Sequence, residues 1–457
     1  MVTQGCVVDR RVGDVEMLAG LSNVIKPELV TQVLLATGKT QSRKATLNFE
    51  TTLWTVLAMG IFTDLPIRDV FRFMHLCHAE RLPGRSALCR ARKRLGSEPI
   101  RQLHRRAVGR IGQATQPGCF YHHLRLVGID GSLFTTPDTA ANARAFGRPQ
   151  GGNTRHSQGA FPQVGKVSLV ELGTHVELAF QLRTQKQGEQ TIGYRLTKQL
   201  QRGDLLLMDA GIYCFRMAKQ AQGEGAEFLA RCQKRTLPAI ERLADGSYVA
   251  KVYAHSNHRR DDRNGLTVRV IEYTLDEPCR TGHGQPHRLL TSLLDAEKYP
   301  AKELIALYHQ RWEHELVFDE QKTHQDPRRA QKPTHLRSQS PAGVLQELYA
   351  LSLAHFVVRK LMYDAAKIEQ IDVDRISFSG SIRILKYRLS ESRFDDLETW
   401  YRRLTAEVAG ETIERRRNRI NPRVLRQSRS KWKTKKTQHY SLQQPTQTFE
   451  QSIVIAT

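Results

Sequence analysis

Two short runs of nearly unbroken apolar residues, each closed by an aspartate, organise the hydrophobic pattern of this chain. Leu124-Arg125-Leu126-Val127-Gly128-Ile129 reads as a largely buried strand that ends at Asp130. Leu205-Leu206-Leu207-Met208 reads as a second one, ending at Asp209. Between them the pattern predicts strands near 163–172 and 174–182 and a helix around 189–200; after Asp209 come a helix and a strand near 227–231. Three consecutive strands, a helix and further strands make an α/β core. Some 70 residues separate the 227–231 strand from the next helix, more than one connection needs. Within them 247–254, 266–275 and 287–294 alternate like strands, which predicts a β-rich insertion at about 233–300.

The flanks read as helical. Ile67, Val70, Phe71 and Met74 recur at helical spacing behind Asp64 and Pro66. After the break at Leu82-Pro83-Gly84, Ser86 is placed to cap a helix whose apolar side is Leu88, Ala91 and Leu95. Beyond Lys322 the helical pattern returns, notably over 343–362. The organisation expected is a helical region 1–118, an α/β domain 119–332 with its insertion, and a helical, basic region 333–457.

Charge narrows the partners. With 70 basic and 46 acidic residues the net charge is +24 and the pI about 10.0, a balance that points to a polyanion, usually nucleic acid. A membrane surface is disfavoured: the longest apolar run, 53–62, is too short to span, and the mean hydropathy is −0.48. The first residues lack a basic-then-apolar signal pattern, so a cytoplasmic protein is expected. Seven scattered cysteines without a C-x-x-C pair fit reduced thiols there. Arg90, Arg92, Lys93 and Arg94 lie on the second of two helices joined by a Gly-containing turn, which suggests a helix-turn-helix-like DNA contact; a merely solvated face is the plain alternative. Residues 415–436 hold 11 Lys/Arg in 22 positions with no acid, with Trp432 and Tyr440 available to stack on bases; a solvated basic tail is the plain alternative, and both readings predict nonspecific phosphate attraction. The glycines at 147, 151, 152 and 159 form no dinucleotide fingerprint and read as a mobile loop, for which a DNA-facing role is one option.

The densest chemistry lies near position 310. At about 100° per residue on an α-helix, Tyr308, Arg311, Glu315 and Lys322 fall within about 60° of one another. Ile305, Trp312 and Leu316 form an apolar stripe beside them that can seat the helix. One acid among two cations and a phenol suits a metal-bound phosphate. Asp130 and Asp209 taken singly are turn residues; with Glu315 they make the three convergent carboxylates that a pair of Mg²⁺ ions needs. Asp319, one turn on, is the understudy acid.

These residues carry a resemblance. Asp130-Gly131-Ser132, Pro137-Asp138-Thr139 with Asn142, Phe146-Gly147, Phe161-Pro162-Gln163, Thr174-His175, Asp209-Ala210-Gly211 and the complete Tyr-(2)-Arg-(3)-Glu-(6)-Lys spacing resemble the DDE transposases of the bacterial insertion-sequence-four family, over roughly 50–430. Ser132 stands where Thr is usual, and Ala210 where Arg is common. The resemblance implies a ribonuclease-H-like catalytic core, with Asp130, Asp209 and Glu315 as catalytic metal ligands for two Mg²⁺ ions (Mn²⁺ as substitute). It implies Tyr308, Arg311 and Lys322 on phosphates near the cleaved end, with Trp312 among the DNA contacts. The implied activity is cut-and-paste transposition at the terminal inverted repeats of the chain's own element, with a homodimer pairing two double-stranded ends. Two alternatives remain: a nuclease that cuts without joining, and a catalytically silent DNA-binding relative.

Overall fold

Helices come first along the chain: α1 (Pro27–Ala36), α2 (Phe49–Ile61), α3 (Ile67–Met74), α4 (Arg85–Leu95) and α5 (Glu98–Ala107). The computed structural model describes residues 16–40, 47–74, 82–150, 159–232, 237–278, 280, 282–325, 334–393, 396–414 and 446–456. The basic run 415–436, Trp432, Tyr440, Gly151, Gly152 and residues 75–81 between α3 and α4 lie outside them. Asn48 caps α2 by accepting from Thr51 N, and α2 is buried along nearly its whole length. α4 starts at Arg85 with Gly84 as its N-cap, so Ser86 falls inside the helix and does not cap it.

The sheet follows. Its strands and helices run β1 (Phe120–Tyr121), β2 (Leu124–Thr135), α6 (Ala140–Phe146), β3 (Gln163–Glu171), β4 (Val176–Arg183), α7 (Glu189–Leu196), β5 (Asp204–Met208), α8 (Phe215–Gly223) and β6 (Glu227–Arg231). After these come β7 (Glu241–Arg242), β8 (Tyr248–Val252), α9 (Ser256–Arg260), β9 (Leu266–Leu275) and β10 (His287–Thr291). α10 (Ala301–His309), α11 (Glu313–Asp319), α12 (Pro341–Ile368), α13 (Phe378–Arg388), α14 (Leu397–Gly410) and β11 (Ile453–Ile455) complete the described elements.

The strand order is β4-β3-β2-β5-β6-β10-β9-β8-β7, with β1 on β2 and β11 on β9. β2, β3 and β4 form an antiparallel meander; β5 and β6 join β2 in parallel, α8 crossing between them. The insertion strands do not build a separate sheet. β10 pairs antiparallel with β6, which covers an edge that would otherwise expose unpaired backbone groups. Alternation along the strands divides the apolar residues between two cores. Val127, Ile129, Leu206 and Met208 face α7 and α8, while Leu126, Leu205 and Leu207 face α10.

The two flanks meet. α2 packs along α12, and helices from both ends of the chain share one core, including Leu57, Ile61, Leu353, Val357, Ile382 and Trp400. α12 is long and apolar enough to cross a bilayer, which the 53–62 run is not, but most of it is buried inside the protein. Its Arg359, His355 and Ser352 are buried and hydrogen-bonded to other elements, as a core helix requires.

Candidate active site

Asp130 and Asp209 are set side by side by strand register. β2 and β5 run parallel, and their last registered pair is Ile129 with Met208. The next residue on each is an aspartate, pointing with Leu126 and Leu207 away from the α7–α8 core. The sequence suggested that the first strand stops at Asp130. It continues to Thr135, because pairing with β3 persists through Thr135↔Gln163 after β5 has ended. Asp130 is therefore held inside a strand, whereas Asp209 begins a turn and accepts from Gly211 N at 3.0 Å and Ile212 N at 2.8 Å. β6 extends the row. Met208 is level with Ala230, so the exposed Arg231 stands beside Asp209.

The third acid arrives on the other layer. α11 crosses β2 at Gly128, where a Cβ would lie 2.8 Å from Leu172 Cδ2 and 3.1 Å from His314 Nδ1, so a side chain there would crowd both and glycine eases the approach. Glu315, next to His314, is 43% exposed, and Arg311 lies between the acids, 3.6 Å from Asp130 Oδ2 and 3.6 Å from Glu315 Oε1. Asp319 is placed differently, 3.1 Å from His324.

The helix carrying these groups is not uniform. α10 passes through a 3₁₀ turn at Gln310–Trp312 into α11, and α11 runs into a π turn at Glu320–His324. A tighter turn and then a wider one rotate side chains away from the even 100° spacing. Trp312 consequently does not seat the helix: it is 40% exposed, with the Arg311 guanidinium 5.4 Å from its ring. His314, Val317 and Phe318 are buried in its stead. Lys322 turns to β2, donating to Ser132 Oγ and lying 4.8 Å from the Phe134 ring. Tyr308 is only 8% exposed and packs with Leu304 and Ile305, below the site rather than on its surface.

Electrostatics mark the same place. Burial pushes the Asp130 carboxyl up to about 6; Asp209 and Glu189 push the same way, against the Gly131 N–H and Arg311. Burial, with Lys166 nearby, brings the Lys322 ammonium down to about 8. Burial also holds the Tyr308 phenol far above its ordinary range. A crowded, partly desolvated set of acids threaded by one arginine is what a site for cations and phosphate looks like.

Comparison with known proteins agrees. Residues 15–105 match the family description "Insertion element 4 transposase N-terminal", and residues 122–356 match "Transposase DDE domain". The chain is 30% identical over 437 residues to the transposase InsG for insertion sequence element IS4 of Escherichia coli K12, covering 91% of this chain and 94% of that protein. The chain belongs to the insertion element 4 family of transposases. The putative transposase InsZ of the same organism is 26% identical over 190 residues, 41% of this chain and 61% of that one. A piggyBac transposase in a synaptic complex with hairpin DNA has a TM-score of 0.42 and 11% identity, over 87% of this chain and 86% of that one.

For this transposase, the basic helix α4 divides in two. Arg90 and Lys93 are exposed, and Arg94, also exposed, donates to Leu47 O. Arg92 is not available as a DNA contact: it bonds Gln346, Ser338 and Gly343 O, tying α4 to the start of α12, and burial lowers its pKa. Two charged residues at the site were not singled out from the sequence. Arg231 closes the 227–231 run as Asp130 and Asp209 close theirs, and that parallel was the available signal. Glu189, at the start of α7, lies where a Cβ on Gly131 would come within 1.8 Å of its carboxylate.

Proposed function

We propose that this transposase cuts and rejoins DNA at the terminal inverted repeats of its own insertion element by two-metal phosphodiester chemistry. One observation carries the reading: Asp130 and Asp209 in adjacent strand register, with Arg311 3.6 Å from both Asp130 and Glu315. The strand order, an antiparallel meander continued by two parallel strands, supports a ribonuclease-H-like core. A DDE domain implies divalent-metal dependence, and the donor set fits it: oxygen ligands, crowded enough that Asp130 resists ionising without a counter-charge.

Asp130, Asp209 and Glu315 would hold two Mg²⁺ ions, with Mn²⁺ as substitute. When bound, the ions supply an activated oxygen nucleophile and stabilise the departing oxygen. The chain's own groups do the rest. Phosphoryl transfer is mostly alignment and charge, so Arg311, Lys322 and Arg231 grip the phosphates flanking the scissile bond. Trp312, exposed beside Arg311, offers a stacking face to an unpaired base. Arg90 and Lys93 on α4 meet the duplex backbone, and Tyr308 shapes the floor from below. A homodimer, acting in the cytoplasm, would pair two ends.

The test uses a duplex bearing one terminal repeat, the full chain, Mg²⁺ and a supercoiled target. Strand cleavage followed by joining of the new 3′ end to the target supports the reading. Cleavage with no joined product over a range of target DNA would reduce the activity to a nuclease.

A further inference from the structure

One buried polar network lies behind the helix that carries Glu315. His175, in the β3–β4 turn, is 1% exposed and has φ 58°. A non-glycine residue there carries a conformational cost of order 1 kcal/mol or more, so the site keeps this side chain against the backbone's preference. Its Nε2 lies 2.8 Å from Glu313 Oε2, and Arg359 Nη2 of α12 meets its Nδ1. Burial and the Arg359 guanidinium disfavour a charged ring, but Glu313 on Nε2 and Glu320 Oε1, 3.6 Å from Nδ1, outweigh them and raise the imidazole pKa, so Nε2–H donates to Glu313.

The network continues to the far end of α11. Arg359 Nε donates to Glu320 Oε2 at 2.9 Å and its Nη2 to Glu320 Oε1, while His355 Nε2 lies 2.8 Å from Oε2. Burial alone would raise the Glu320 carboxyl; Arg359 and the two histidines more than offset that and hold it well below the usual carboxylate range. Glu313 and Glu320 are seven residues apart, about two helical turns, and share a side. Glu315 is turned about 200° from Glu313, toward the opposite side.

We infer that His175 is a positioning residue for the catalytic helix: it fixes Glu313 directly and Glu320 through Arg359, and so holds Glu315 toward Asp130 and Asp209. The His175, Glu313 and Asp374 ligand atoms also lie within 4.8 Å of one another, a spacing that admits a metal ion. The Arg359 guanidinium packed against the same imidazole argues against a second cation there.

The inference rests on Glu315 as a metal ligand, and the experiment separates the two. Mn²⁺ affinity is measured by calorimetry on the full chain, alongside single-turnover cleavage and terminal-repeat binding. His175→Asn is the main variant, since Asn tolerates positive φ but is too short to reach Glu313. It should weaken Mn²⁺ binding by ~10-fold and slow cleavage by ~100-fold with DNA affinity unchanged. Glu313→Gln, whose amide oxygen still accepts the Nε2 proton, should stay within a few-fold of wild type, while Glu313→Ala should match His175→Asn. The double variant His175→Asn/Glu313→Ala should be no worse than either single, as coupled residues require.

Wild-type Mn²⁺ affinity and cleavage in His175→Asn overturn the inference, as does equal damage from Glu313→Gln and Glu313→Ala. Metal retained by Glu315→Gln but lost in His175→Asn also overturns it, by placing an ion in the cluster. If Glu315→Gln binds Mn²⁺ as wild type does, the ligand assignment fails and takes the clamp with it.

Discussion

Ile129 and Met208 are the last registered pair of two parallel strands, and that pairing sets Asp130 beside Asp209. Parallel strands end in the same direction, so both acids emerge at carboxyl ends, where open α/β sheets bind ligands. About one strand spacing, ~4.8 Å, separates the two backbones. Two carboxylates so close, one of them largely buried, repel each other until a cation arrives.

The burial of Asp130, with Asp209 beside it, has a measurable consequence for Asp130→Asn. The folded-state pKa is raised to about 6 from an ordinary 3.8, chiefly by burial. The native state then binds more protons than the unfolded chain between those values, so stability falls as pH rises from about 4 through 6. Removing the charge should stabilise the metal-free protein at pH 8 by about 2 kcal/mol, while abolishing cleavage. The gain should shrink at pH 5 and vanish near pH 3.5, where the wild-type carboxyl is neutral. Denaturation in EDTA at the three pH values checks this; a gain independent of pH would assign the effect to packing.

The strand acids were legible in the sequence because a polar residue closing an apolar run is a local signal. Glu315 stands out in the sequence through its spacing from Tyr308, Arg311 and Lys322, although the 3₁₀ and π turns depart from the even helix that spacing assumes. What failed was non-local. The helical periodicity puts Trp312 on the seating stripe, because the sequence does not announce the 3₁₀ turn at Gln310–Trp312. Arg92 was grouped with Arg90 and Lys93 because a charge run says nothing about which member meets Gln346, 254 residues away. Arg231 acquires meaning only once Met208 is seen level with Ala230. The shared core of α2 and α12 joins segments nearly 300 residues apart, beyond any periodicity.

Arg231→Ala tests the row directly. The side chain is exposed, with a 3.1 Å contact to His287 Nδ1, so its loss should leave folding intact. If it grips a phosphate, the slope of log affinity against log salt should become shallower by about one. Cleavage should fall by ~10-fold or more, with partial recovery in Arg231→Lys. An unchanged slope with unchanged cleavage would remove Arg231 from the interface.

The basic run 415–436 calls for substitution rather than truncation. Deleting the chain from 412 onward would also remove β11 from the edge of β9 and Phe449 from its stack on His309, with centroids 4.0 Å apart. Replacing the Lys and Arg of 415–436 with Gln keeps both. Nonspecific DNA binding should weaken at low salt and its salt dependence flatten, since fewer counterions are released. Identical salt slopes for the two proteins would show that these cations touch no phosphate.

The sharpest test pairs Glu315→Gln with Asp319→Asn. Gln keeps the length and helix propensity of Glu, so α11 has no reason to unfold, but it loses the charge needed to hold a metal among phosphates. Glu315 shares Arg311 with Asp130, whereas Asp319 pairs with His324 one turn away. Glu315→Gln should therefore bind the terminal repeats normally and cleave at least ~1,000-fold more slowly with either Mg²⁺ or Mn²⁺. Asp319→Asn should cleave within a few-fold of wild type. The reverse pattern, cleavage kept in Glu315→Gln and lost in Asp319→Asn, would make Asp319 the ligand and require α11 to turn on metal binding. Cleavage kept in both would take the helix out of the metal site and leave Asp130 and Asp209 in need of another third acid, for which Glu189, beside Gly131, is a candidate.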